Sequence, residues 1–243
     1  VFLTSLLGAI RTSAAKHLPS MCAVCRGWGS SRVCNDCVLR FAPLVHRCRC
    51  CGLQAPSRAL VCGACLTHPP AHTRAIAAVD YDHPWDALIT RFKFRDGLDL
   101  AQALADRMIE AVQRESLAPT DVLLPMPLSE ARLRERGYNQ AWELTRRVAA
   151  SLRLAADVNL LLRVKDSPHQ LAFPPEQRAD NVHAAFAVEP RRLAELRGRH
   201  VTLVDDVMTT GATVAEATRT LLRAGAAEVR VWVVARTPPP GED

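Results

Sequence analysis

Along the C-terminal two-thirds of the chain the apolar positions switch between two periods, and each switch marks an element. RAIAAVDYD (74–82) reads as a strand, while PWDALITRFKF (84–94) and GLDLAQALADRMIEAVQRE (97–115) carry apolar residues at helical spacing. DVLLPMP (121–127) is a short buried strand ending in prolines, and NQAWELTRRVAASLRL (139–154) is an amphipathic helix. NLLLRV (159–164), AAFAV (184–188), HVTLVDD (200–206) and EVRVWVVAR (228–236) read as further strands, with a helix at ATVAEATRTLLRAGA (212–226). Strands alternating with helices predict an α/β fold, a mostly parallel sheet covered on both faces.

The first 70 residues have too few large apolar side chains for a core of their own. All nine cysteines fall there, eight of them as four Cys-x-x-Cys pairs: Cys22/Cys25, Cys34/Cys37, Cys48/Cys51 and Cys62/Cys65. Two residues between thiols let both sulfurs of a tight turn reach one tetrahedral ion, so four pairs provide for two zinc sites whose metal supplies the folding energy. Spacing leaves two pairings open, neighbour with neighbour or first with third and second with fourth. Cys50 is a spare thiol inside the third pair. Pro69-Pro70 reads as a linker, giving a zinc module at 1–70, an α/β domain at 75–237 and a disordered tail at 238–243.

The N-terminal stretch VFLTSLLGAIRTSAAKHLPS has a brief apolar part with no basic residue ahead of it, and reads as a surface helix, not a signal sequence. No segment approaches the length of a membrane span. The expectation is a cytoplasmic protein without membrane insertion, which also disfavours disulfides. The formal charge is +6, and the cysteine module holds eight Lys or Arg against one acid, Asp36. Those cations either offer a nucleic-acid surface or balance the thiolates, since zinc with four thiolates carries a net −2.

One stretch resists a purely structural reading. LVDDVMTTGATV (203–214) ends an apolar run on two acids, then sets three threonines around a glycine at a helix start. Backbone N–H groups and the dipole of a helix N-terminus suit an anion, and Gly211 lets backbone approach it closely. Carboxylates repel phosphate, so Asp205 and Asp206 should face hydroxyl groups or a metal. A ribose 5-phosphate unit satisfies both halves.

LVDDVMTTGAT resembles the phosphoribosyl diphosphate (PRPP) motif of type I phosphoribosyltransferases. That resemblance implies ribose-binding, catalytic roles for Asp205 and Asp206 and a 5-phosphate loop of Val207, Met208, Thr209, Thr210, Gly211, Ala212 and Thr213. LLPMPLSEARLRERGYNQAWELTRRVA and HQLAFPPEQRADNVHAAF are similar to stretches of the ComF family, whose pattern also includes N-terminal cysteine pairs. The resemblance covers nearly the whole chain and implies a type I phosphoribosyltransferase-like sheet with an N-terminal double zinc ribbon. It places Pro125, Met126, Pro127 and Leu128 in a diphosphate loop, with Arg136 following. Arg132 and Arg134 either reach the diphosphate or form a solvated helix face. Asn139 and Gln140 either cap the next helix or touch ligand; Arg178 and Asn181 either close over the site or cap a helix, and Gln170 belongs to the same stretch. Tyr138 either stacks on a base or packs, and Lys93 in RFKFRDG is open in the same way.

The implied ligand is PRPP with Mg²⁺, most of whose ligands PRPP itself provides. Catalysis would then rest on positioning and on neutralising the departing diphosphate. No acceptor base stands out; His169 and His183 qualify by residue type alone. ComF relatives are associated with uptake of single-stranded DNA in natural transformation, implying that DNA and uptake-machinery proteins are partners. The alternative is an active phosphoribosyltransferase of nucleotide or amine metabolism with no DNA role.

Overall fold

The computed structural model describes residues 19–55, 59–94, 97–115, 119–164 and 185–238. The expected N-terminal helix, residues 239–243 of the tail, and His169, Gln170, Arg178, Asn181 and His183 lie outside the described residues.

The chain divides into two compact units, Val1–Leu44 and Val45–Asp243. In the first, β1 (Ser20–Met21) pairs antiparallel with β2 (Trp28–Gly29), and α1 (Asn35–Phe41) starts directly after Cys34. Among its described residues the buried apolar side chains are Cys22, Val33 and Cys37.

The division falls ahead of the second cysteine group, and polar ties explain why that group belongs with the sheet. Arg47 Nη1 lies 2.6 Å from Asp80 Oδ1, the Ala75 amide donates to the Arg49 carbonyl at 2.8 Å, and Arg236 Nε donates to the Cys51 carbonyl at 2.8 Å. His72 Nε2 sits 2.7 Å from the Cys50 carbonyl.

The second unit runs α2 (Gly63–Thr67), β3 (Arg74–Asp80), α3 (Trp85–Phe94), α4 (Ala101–Gln113), β4 (Val122–Pro125), α5 (Glu130–Arg136), α6 (Gln140–Leu152), β5 (Leu161–Arg163), β6 (Phe186–Val188), β7 (His200–Met208), α7 (Ala212–Arg223) and β8 (Glu228–Arg236). A short 3₁₀ turn at Gly97–Leu100 leads into α4. Four strands form one parallel sheet in the order β3-β8-β7-β4, and β5 and β6 form a separate antiparallel pair. The two central strands, β7 and β8, are buried along nearly their whole length, as their unbroken apolar runs require when both faces are covered. Val214, Ala217 and Leu221 of α7 pack with Leu203 and Val231 in one cluster, while Trp85, Ile89, Phe92, Leu104 and Met108 of α3 and α4 are also buried. No helix among the described residues is long and apolar enough to cross a membrane.

Two caps fix the approach to the site. Asn139 Oδ1 accepts from the Ala141 and Trp142 amides at 2.9 and 3.2 Å, starting α6, while its Nδ2 donates to the Met126 carbonyl at 3.1 Å. One side chain thus starts a helix and holds the turn after β4. Ser129 caps α5 by accepting from the Arg132 amide at 3.4 Å, and that helix stops at Gly137, whose φ of 77° suits a residue without Cβ.

Candidate active site

β7 carries Asp205 and Asp206 to the carboxyl end of the sheet, where ligands of such folds bind. β8 pairs with it as far as Met208, so both acids sit on a strand held along one side. The chain then bends through Thr209 and Thr210 and enters α7 at Gly211, whose φ is 81°. That left-handed conformation costs an L side chain about 1–2 kcal/mol, which explains glycine at the turn. The Ala212 amide is 3.4 Å from Thr210 Oγ1.

These residues open onto a cavity of about 340 Å³. Asp205, Asp206 and the turn from Val207 to Thr213, except Thr210, form one wall; Met126, Pro127 and Leu128 form another. Arg132, Glu135, Arg136 and Gln140 complete it from α5 and α6, with Lys93 and Phe94 from α3. The sequence-predicted residues are therefore largely brought together. Pro125 and Asn139 do not line the cavity, and Arg134 is turned outward to Glu130 at 2.8 Å. Tyr138 packs: its hydroxyl donates to the Phe92 carbonyl and its ring lies 6.1 Å from that of Phe92.

Asp206 is buried, with Lys93 Nζ 2.9 Å from its Oδ1 and, among the described residues, no hydrogen-bond partner on its Oδ2. Arg136 stacks its guanidinium 4.5 Å over the Phe94 ring, and its buried Nε has no hydrogen-bond partner among the described residues. Gln140 Oε1, from another residue lining the cavity, is likewise buried without a partner among the described residues. Unsatisfied buried polar atoms are costly, and three of them on residues lining one cavity suit groups that a ligand would satisfy. Burial, and then repulsion from Asp206, push Asp205 up to about 7, although Lys93 and the Asp206 amide pull it down.

The raised Asp205 pKa has two consequences of opposite sign. Its unfolded value is 3.8, so the folded chain holds the extra proton between about pH 4 and pH 7, and its contribution to stability declines as pH rises through that window. A sugar hydroxyl donates best to the ionised carboxylate, so affinity for ribose 5-phosphate should rise several-fold from about pH 6 to about pH 8. Calorimetric titrations across that range check it; a flat profile overturns it.

The eight paired cysteines gather as Cys22, Cys25, Cys34, Cys37 and as Cys48, Cys51, Cys62, Cys65, each set with its sulfurs within 4.8 Å. Neighbouring pairs are joined, and the second pair of each set spans the start of a short helix, with Cys34 and Cys62 at the N-cap positions. Four sulfurs at ~2.3 Å from zinc stand about 3.8 Å apart; the Sγ···Sγ distances of Cys22–Cys37, Cys25–Cys34 and Cys51–Cys62 are 3.9, 3.7 and 3.8 Å. Burial pushes the Cys22 and Cys48 thiols up, but amide donors, including Cys34 N at 3.4 Å and Cys62 N at 3.2 Å, bring each down to about 6. Both sets fit zinc. Cys50 belongs to neither, and burial raises its pKa.

Residues 95–242 match the family model described as the phosphoribosyl transferase domain. The DNA utilization protein YhgH of Salmonella typhimurium is 34% identical over 230 residues, covering 90% of this chain and 98% of that protein. Competence protein F of Haemophilus influenzae is 31% identical over 222 residues, 88% and 96% of the two chains. The chain belongs to the ComF group of the phosphoribosyltransferase family. Among solved structures, the glutamine PRPP amidotransferase of B. subtilis complexed with ADP and GMP matches at TM-score 0.40 and 18% identity, over 59% of this chain and 30% of that one, a likeness too distant to carry a functional argument.

The sequence reading missed two features. The role of Lys93, open in the sequence, is set by its ion pair with Asp206, a partner on a strand far along the chain that no local pattern reveals. Tyr81, Thr90 and Arg163 also line the cavity, and no sequence motif marks them.

Proposed function

We propose that this chain binds PRPP with Mg²⁺ in the cavity at the end of β7 and acts in the handling of single-stranded DNA during natural transformation, together with DNA-uptake proteins. The observation that carries the first half is one cavity lined by two carboxylates, one of them buried with an unpartnered oxygen, and by the start of a twelve-residue helix. Asp205 and Asp206 accept from the ribose hydroxyls, while the amides and hydroxyls of Thr209 to Thr213 take the 5-phosphate. Lys93 and Arg136 lie where positive charge can face the diphosphate, and Met126 to Leu128 form its loop. Magnesium, carried on the diphosphate, supplies charge neutralisation to the leaving group.

The second half is supported by the relatives' names, DNA utilization protein and competence protein F, and by the basic cysteine module. Trp28 is 77% exposed in the same unit as Arg26 and Arg40, the pairing of base-stacking ring and cation that single strands favour.

Titrating magnesium–PRPP into zinc-loaded protein should release heat with one-to-one stoichiometry, and its absence overturns the ligand assignment. A labelled oligonucleotide should bind with an affinity that falls steeply with salt. Heat with PRPP but no retention of the oligonucleotide at low salt would overturn the DNA half and leave the metabolic transferase reading.

A further inference from the structure

Arg236, the last residue of β8, lies behind the sugar-phosphate turn and is 7% exposed. Its Nη1 donates to the Met208 carbonyl at 2.9 Å, to the Thr209 carbonyl, and to the Thr237 carbonyl at 2.8 Å. Its Nε donates in the opposite direction, to the Cys51 carbonyl at 2.8 Å. The Thr237 amide returns a bond to the Met208 carbonyl at 3.1 Å, so the turn is gripped at both strand ends.

A guanidinium buried this deeply needs a counter-charge. Among the described residues no carboxylate pairs with it. The group it touches through the Cys51 carbonyl is the Cys48/Cys51/Cys62/Cys65 cluster. Four thiolates around zinc leave the cluster at net −2, a charge that a buried cation one residue away can balance. The four sulfurs meet the distance test for zinc, as described above.

We infer that Arg236 is a positioning residue that makes the Cys48/Cys51/Cys62/Cys65 metal site a support for the sugar-phosphate turn, so that loading of this site, unlike the other, sets the order of Met208 to Gly211 and the affinity of the cavity for ribose 5-phosphate. The turn's two carbonyls and the Cys51 carbonyl share one planar side chain, so displacement of the Cys51 knuckle is transmitted to the turn without passing through the sheet. This rests on the proposed ligand only for its affinity arm, not for the order of the turn.

The test is amide hydrogen exchange over residues 207–213 together with ribose 5-phosphate titration, each with measured zinc content. Arg236→Met, retaining two zinc ions per chain, should speed exchange at these amides at least about tenfold and weaken binding by a similar factor. Arg236→Lys keeps the charge but not the fork, and should recover only part of the protection. Cys51→Ser with Cys62→Ser should reproduce the loosened turn, whereas Cys22→Ser with Cys34→Ser should leave residues 207–213 unchanged. Unaltered exchange in Arg236→Met overturns the inference, as does an equal effect from loss of either metal site. If the parent protein takes no ribose 5-phosphate, the ligand assignment fails, while the exchange arm still decides the role of Arg236.

Discussion

Replacing Asp205 and Asp206 together by asparagine is expected to weaken magnesium–PRPP binding by about 100-fold or more, with the fold retained. In the proposed complex each carboxylate would supply a charge-assisted acceptor to a ribose hydroxyl, and such bonds are worth about 1.5–3 kcal/mol apiece. Asparagine keeps the shape and one acceptor oxygen, so the loss measures charge and not volume. Lys93 is left without its anion, but its side chain is 19% exposed and can reach water, so the melting temperature should fall only modestly. Inorganic phosphate gives a control: it needs the turn and α7 but not the acids, and its affinity should hold or rise once the negative charge of the acids is gone. Calorimetry with both ligands separates the outcomes. Equal PRPP affinity in parent and variant would remove the acids from the site.

Stripping zinc with a mercurial thiol reagent and a chelator should release two ions per chain and unfold the first unit outright. Residues 19–44 bury only Cys22, Val33 and Cys37 as apolar side chains among those described, far short of what a folded unit needs. Structural zinc contributes on the order of 10–16 kcal/mol in small metal-dependent domains, and nothing else in this stretch approaches that. The second unit keeps its four-stranded sheet and should lose only the order around its own cysteines. Amide exchange reports both: protection across Asn35–Phe41 should vanish while β7 and β8 stay protected. A metal-free chain that retains protection in α1 would overturn the reading.

The central strands were legible because parallel strands covered on both faces must be apolar throughout, and VTLV and VWVVA have no other explanation. The site was legible for the opposite reason, since Asp205-Asp206 breaks that rule where nothing structural demands it. Cysteine pairing was not legible, because either pairing satisfies the spacing; the gathering of the sulfurs into Cys22/Cys25/Cys34/Cys37 and Cys48/Cys51/Cys62/Cys65 decides it. The antiparallel pair of β5 and β6 could not be separated from the main sheet by pattern, since three-residue strands carry no period of their own. Asn139 read as either cap or ligand contact, and it acts as a cap whose amide also holds the Met126 carbonyl. Arg236 carried no signal at all, because a basic residue closing a strand looks like an ordinary boundary to solvent.

If the proposed ligand is right, the Asp206 Oδ2, which has no partner among the described residues, bears on which pentose the cavity prefers. A furanose lacking its 2-hydroxyl has one donor fewer for a pair of acids whose strand cannot shift to compensate. On the proposed ligand, 2-deoxyribose 5-phosphate is therefore expected to bind more weakly than ribose 5-phosphate, and paired calorimetric titrations of the two check it.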